Sequence, residues 1–242
     1  LSSGTSLRRY RIVTAEGVFD LEPAAGSSEI RCGDAVRVQG VRSGGTIAGS
    51  VTHTGRAAIP QGCNPIGEQK IAVLLLSTPS YPLPGEITPA FVRNVVFGAA
   101  NRSVDGYWRE ASYGKTFATG DVFGPFQLAQ DYSCSDINSL RTAAIAAADS
   151  TVDFRNYRRV VLVSPRECPS ARGSLGCYGV QSPSKGTVTL ASSWIPINYL
   201  STNDLGVAVI GHELGHNYGL EHASSLAFGS SPLGGIGAAG VH

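Results

Sequence analysis

The sequence predicts an α/β (α+β) protein: a mixed, twisted sheet with helices, closing on a helix that carries a metal site, preceded by a small all-β barrel or sandwich. Three observations predict it. Residues 8–59 alternate short β-type runs with turn clusters. From residue 71 onward, apolar strand-like runs alternate with helix-periodic ones. The last helical pattern then runs straight into His212-Glu213-Leu214-Gly215-His216.

In the first part, Arg9-Tyr10-Arg11-Ile12-Val13, Gly17-Val18-Phe19-Asp20-Leu21, Ala35-Val36-Arg37-Val38-Gln39 and Thr46-Ile47-Ala48-Gly49-Ser50-Val51 read as strands. Ala24-Ala25-Gly26-Ser27-Ser28, Cys32-Gly33-Asp34 and Ser43-Gly44-Gly45 between them are turn chemistry, so antiparallel pairing is expected. Pro60-Gln61-Gly62-Cys63-Asn64-Pro65 reads as a linker and divides the chain into domains 1–62 and 63–242. In the second part, residues 71–77 form a buried-type strand, and Thr88 can cap a helix running to Phe97. Residues 103–112 suggest a further helix and 116–122 a strand. Asp136 can cap an alanine-rich helix to Ala148, followed by a strand at 159–163. Residues 186–192 alternate like an exposed strand, and Thr187, Val188, Thr189 and Leu190 are the candidate sheet edge on which an extended peptide could add. Asp204-Leu205-Gly206-Val207-Ala208-Val209-Ile210-Gly211 leads the final helix, with Thr202 or Asn203 as its cap.

That final helix carries the chemistry. His212 and His216 are four residues apart, so an α-helix sets them one turn above each other on one face. Both rings can approach one ion at the usual zinc–nitrogen distance of about 2.0–2.1 Å. Glu213 is next to the first ligand and suited to accept a proton from a water at the metal. Gly219 permits the left-handed turn that ends the helix and lets His222 return as a third ligand. Three protein ligands leave a fourth tetrahedral position open, which separates a catalytic zinc from a structural one. Three of the five histidines in the chain lie in this segment. Glu221 is a candidate for orienting a ligand from behind.

The extended pattern resembles the metzincin clan of zinc endopeptidases. Further stretches narrow the resemblance to the gametolysin-like family. They are Ile71-Ala72-Val73-Leu74-Leu75-Leu76, Tyr107-Trp108-Arg109-Glu110-Ala111-Ser112-Tyr113-Gly114-Lys115, Gly120-Asp121-Val122-Phe123-Gly124-Pro125 and His222-Ala223-Ser224-Ser225-Leu226. The resemblance covers about residues 66–228. It implies a metzincin-like fold, one catalytic Zn2+ and peptide-bond hydrolysis, with His212, His216 and His222 as ligands and Glu213 as general base. It implies a protein or peptide substrate; gametolysin-like enzymes act on proline-rich cell-wall glycoproteins. One feature departs from the clan. Metzincins carry a methionine-containing turn beneath the metal, and this chain has no methionine and ends twenty residues after His222. Either the sequence stops before that turn or the floor of the site is built differently. The Gly- and Ser-rich run at 229–240 favours the first reading.

Hydrophobic residues at 42% and charged residues at 15% suit a globular protein, and a net charge of +1 gives no electrostatic case for nucleic acid or anionic membrane as partner. The longest strongly apolar run, 71–76, is far too short for a membrane span. Of five cysteines, Cys168 and Cys177 bracket a Pro/Gly/Ser-rich loop and are the expected disulfide. That pair, with low charge and abundant Gly and Ser, points to a secreted protein. Arg31-Cys32-Gly33-Asp34 is similar to the cysteine-switch segment of matrix metalloprotease propeptides, where a thiolate fills the open metal position, so Cys32 is a candidate latency switch. The same four residues also read as a plain turn. Two other readings of the chain remain at this level: a non-catalytic zinc-binding or adhesion module, and a latent or nicked inactive fragment.

Overall fold

The computed structural model describes residues 10–14, 17–30, 34–56, 64–99, 102–222, 225–226 and 239–240. Cys32, residues 60–63 of the expected linker and most of the Gly/Ser-rich tail lie outside them. The chain divides into two compact units, one holding the first four strands and the other built on Pro60–Ala223.

In the first unit β1 (Tyr10–Thr14), β2 (Gly17–Pro23), β3 (Asp34–Ser43) and β4 (Thr46–Arg56) form one sheet in the order β1-β2-β4-β3. The β1–β2 and β3–β4 pairs are antiparallel, but β2 and β4 run parallel. This corrects the all-antiparallel expectation. The tight Gly44–Gly45 turn folds β4 back on β3, and β4 then lies between β3 and β2. Phe19, Leu21 and Val51 are its buried apolar side chains, and the Arg42 guanidinium sits 4.1 Å over the Phe19 ring.

The second unit is a three-layer α/β arrangement. Its elements are β5 (Gly67–Ser77), α1 (Pro89–Phe97), α2 (Val104–Ala111), β6 (Thr116–Gln127), α3 (Ile137–Ala148), β7 (Arg159–Ser164), β8 (Arg172–Gly173), β9 (Tyr178–Ser182), β10 (Gly186–Pro196) and α4 (Asn203–Asn217). The sheet order is β6-β5-β7-β10-β8, with β9 also paired to β10. Strands β6, β5, β7 and β10 run parallel; β8 and β9 are antiparallel to β10. A two-stranded ladder, β11 (Ser225–Leu226) with β12 (Ala239–Gly240), completes the described elements.

β5 shows why the sheet is covered on both faces. Its residues alternate sides every second position. Ala72, Leu74 and Leu76 pack with Leu140, Ala144, Ile145 and Ala148 of α3. Ile71, Val73 and Leu75 pack with Val92, Val95 and Val96 of α1 and with Ile210 and Leu214 of α4. All six strand residues are wholly buried. Each such aliphatic contributes roughly 1.5–3 kcal/mol, so this run outweighs any single helix cap at about 1 kcal/mol.

The expected caps are mostly in place. Thr88 Oγ1 accepts from the Phe91 N–H, Ser103 Oγ from the Gly106 N–H, and Thr202 Oγ1 from the Leu205 N–H. Asp136 occupies the N-cap position of α3 but makes no side-chain cap bond.

One expectation about the chain after β7 is overturned. The disulfide is Cys134–Cys168, with Cα atoms 5.7 Å apart, in place of Cys168–Cys177. Residues 169–176 are no free loop: β8 within them is held against Ser193 and Trp194, which carries Cys177 away to the start of β9. Cys177 is itself disulfide-bonded, with a different partner. Thr187, Val188, Thr189 and Leu190 lie in the first half of β10 and are covered by a neighbouring strand on one side. They pair with Gln181, Val180, Gly179 and Tyr178 of β9, and Val188 and Leu190 point into the α3-side core. The outer strand near the helix is β8.

Candidate metal centre

The site is assembled by the C-terminal end of α4 and the turn that follows. Gly219 has φ +88°, and the chain ends the helix there with two reversed bonds. The Leu220 N–H donates to the Gly215 carbonyl at 3.0 Å, and the Gly219 N–H to the His216 carbonyl at 2.9 Å. This Schellman pair, with glycine at the left-handed position, turns the chain back toward the helix face. His222 therefore meets His212 and His216. The donor nitrogens of all three lie within 4.8 Å of one another, and the His212 and His222 Nε2 atoms are 3.2 Å apart. Two nitrogens bound to one tetrahedral ion at about 2.0–2.1 Å would be separated by nearly that distance.

A hydrogen bond settles one tautomer. His216 Nδ1 is 2.8 Å from the Leu220 carbonyl oxygen, which can only accept. Nδ1 therefore carries the proton, and Nε2 keeps its lone pair for a metal. The orienting group is a backbone carbonyl supplied by the turn, and Glu221 is not needed for it. Burial, then the neighbouring His216 and His222, push the His212 pKa down, which favours the neutral, ligating form. Three imidazole nitrogens suit zinc and other divalent first-row metals.

Glu213 is buried. Its burial raises the carboxyl pKa, while His216, the Gly173 backbone N–H and His222 pull the other way. The carboxyl opens on a cleft of roughly 640 Å3 that contains all three histidines. One wall is residues 169–173, and Tyr199, Ala208 and Val209 face it. None of Thr187, Val188, Thr189 or Leu190 lines this cleft. A second hollow of roughly 490 Å3, with Tyr107, Glu110 and Asp204, meets the first at Ala208 and His212.

Several supporting groups had no clear signal in the sequence. Tyr218, the last residue before the turn, lies between an edge-on Trp108 ring 4.6 Å away and the Arg159 guanidinium 4.4 Å over its face. Arg159 is wholly buried, and its side-chain hydrogen-bond partner is Gln69 Oε1. Burial holds its pKa down to about 10. The wall of the cleft is fixed by Asn198, whose amide brackets the Cys168 main chain in both directions, and by the Tyr199 hydroxyl, which donates to the Pro169 carbonyl at 2.8 Å. A polar residue next to a ligand is the one such signal the sequence held, at Asn217.

A mixed α/β domain with a buried carboxylate beside three converging imidazoles fits a metallopeptidase. The sequence profile of the gametolysin peptidase M11 family matches residues 70–228, two thirds of the chain, and the chain belongs to that family. A comparison with individual curated proteins found no match.

Proposed function

We propose that this metallopeptidase is a secreted, zinc-dependent endopeptidase in which His212, His216 and His222 hold one Zn2+ and Glu213 is the general base. The observation that carries the reading is the convergence of three ring nitrogens beside a buried carboxylate, with His216 already fixed in its ligating tautomer. When bound there, zinc lowers the pKa of a water toward neutrality and polarises the carbonyl to be cleaved. Glu213 takes a proton from that water as its oxygen attacks the carbonyl carbon. The same carboxyl then delivers the proton to the amine nitrogen as the C–N bond breaks. Its burial raises the carboxyl pKa, which makes it a better proton acceptor than an exposed glutamate.

The substrate is a protein or peptide chain, with extracellular or cell-wall glycoproteins the class the family resemblance suggests. β8 is the strand on which an extended peptide would add. Its Ser174-side bond, from the Ser174 N–H to the Ser192 carbonyl at 2.9 Å, makes Gly173 and Ser193 a non-hydrogen-bonded pair. The Gly173 N–H and C=O therefore point away from β10; the N–H serves the Glu213 carboxyl, which leaves the C=O to receive a peptide. Secretion is supported by the Cys134–Cys168 disulfide and the disulfide-bonded state of Cys177, both suited to an oxidising compartment. Among the described residues no helix is long and apolar enough to cross a membrane.

The test is Glu213→Gln. The variant is expected to retain one equivalent of zinc by elemental analysis and to lose about 10²–10⁴-fold in peptide hydrolysis. Undiminished hydrolysis would remove Glu213 from the mechanism, and absence of bound zinc in the unaltered protein would remove the metal assignment.

A further inference from the structure

Asn217 follows the second histidine directly and is wholly buried. Its side chain does more than fill space. Nδ2 donates to the Ser192 carbonyl of β10 at 3.1 Å and to the Ser174 carbonyl, one residue past β8, at 3.0 Å. Oδ1 accepts from the Ser193 hydroxyl at 3.0 Å. One amide therefore joins α4 to the inner strand and to the outer one, using both its donor and its acceptor ends. The main chain adds a parallel tie: the Gly176 N–H donates to the carbonyl of His216 at 3.1 Å.

These bonds set β8 unusually close to the helix. A β-carbon on Gly173 would lie 2.3 Å from the Glu213 carbonyl oxygen, so only glycine allows the strand to rest there. Gly173 also faces the cleft and is the residue whose backbone N–H acts on the Glu213 carboxyl. The distance between the peptide-binding edge and the base is thus fixed from behind, by a side chain that touches neither substrate nor metal.

We infer that Asn217 is a positioning residue: its amide latches the outer strand β8 onto α4 and thereby holds the edge that receives an extended peptide at a set distance from Glu213. The inference rests on reading the site as a peptidase cleft, but the latch itself can be measured without catalysis. An aspartate could not replace it, because a carboxylate would face two carbonyl oxygens with no proton to offer. A leucine would preserve bulk and lose every one of these side-chain bonds.

The experiment compares Asn217→Leu and Ser193→Ala with the unaltered zinc-loaded protein. Three readouts are used: hydrogen exchange at the Gly173 and Ser174 amides, inhibition by acetohydroxamate, and kinetics on an octapeptide. Asn217→Leu is expected to keep its zinc and its acetohydroxamate inhibition within twofold, since that probe reaches only the metal. Exchange at Gly173 and Ser174 should accelerate at least tenfold, and kcat/KM on the octapeptide should fall at least tenfold, mainly through KM. Ser193→Ala, which removes one bond and keeps the fold if the leucine variant does not, should shift exchange and KM in the same direction by a few fold. Unchanged exchange at both amides in either folded variant overturns the latch. So does a loss confined to kcat, or one shared equally by acetohydroxamate. If the unaltered protein cleaves no peptide while exchange responds as expected, the peptidase reading fails and the latch stands.

Discussion

At the scale of single residues, Tyr218 separates what a side chain does by its ring from what it does by its polar tip. Its hydroxyl has no hydrogen-bond partner among the described residues, and burial pushes its pKa up to about 12. The ring, by contrast, receives the Trp108 edge and the Arg159 cation. Tyr218→Phe keeps both ring contacts and removes an unpartnered polar atom. It should leave stability unchanged or raise it by up to about 1 kcal/mol. Tyr218→Leu removes the aromatic face from a buried guanidinium and should cost about 2–3 kcal/mol. Urea unfolding of the two variants checks both, and a phenylalanine variant much less stable than the parent would mean that the hydroxyl is bonded. The three histidines and Glu213 were legible as candidates because their identity and spacing alone suggest the chemistry. Tyr218, Arg159 and Asn198 were not, because a tyrosine, an arginine or an asparagine takes its role from what the fold brings against it.

At the scale of elements, the turn after α4 decides where His222 goes. Gly219 at φ +88° occupies a region that a β-carbon penalises by roughly 1–2 kcal/mol. Gly219→Ala is therefore expected to destabilise the protein by about that amount and to weaken metal binding more than stability, because the strain sits between two ligands. Competition titration with a metal-sensitive dye, beside a denaturation curve, measures the two effects separately. Equal zinc affinity in both proteins would mean that the turn is not what delivers His222. This turn and the caps at Thr88 and Thr202 were readable, since a cap needs only residues within one helical turn. Asp136 shows the limit: residue type and place were right, yet its carboxyl makes no cap bond. Strand identity was also readable for 187–190, while the pairing with β9 was not, because a strand cannot announce which neighbour will lie beside it.

For the whole molecule, the Cys134–Cys168 disulfide joins the segment before α3 to the cleft wall that begins at Pro169, across 34 residues of sequence. Closing a loop of that size is worth about 3–4 kcal/mol through the unfolded chain. Cys134→Ser should lower the unfolding free energy by that order, and reductant should lower the melting temperature of the unaltered protein by more than that of the variant, which keeps the disulfide of Cys177. If the unaltered protein melts identically under both conditions, the bond contributes nothing to its stability.

The sequence by itself determined the types of the longer elements of the second unit, though not β8 or β9, and the histidines and carboxyl offered as a candidate metal site. Each of these depends on residues within a few positions of one another, where backbone sterics and spacing act directly. Only the tertiary structure decided which cysteine meets Cys168, that β8 ends the sheet beside β10, that β2 and β4 run parallel, and that Asn217 ties helix to edge. Those outcomes depend on the register between segments tens of residues apart, which is set by how buried faces fit together and leaves little trace in any local pattern.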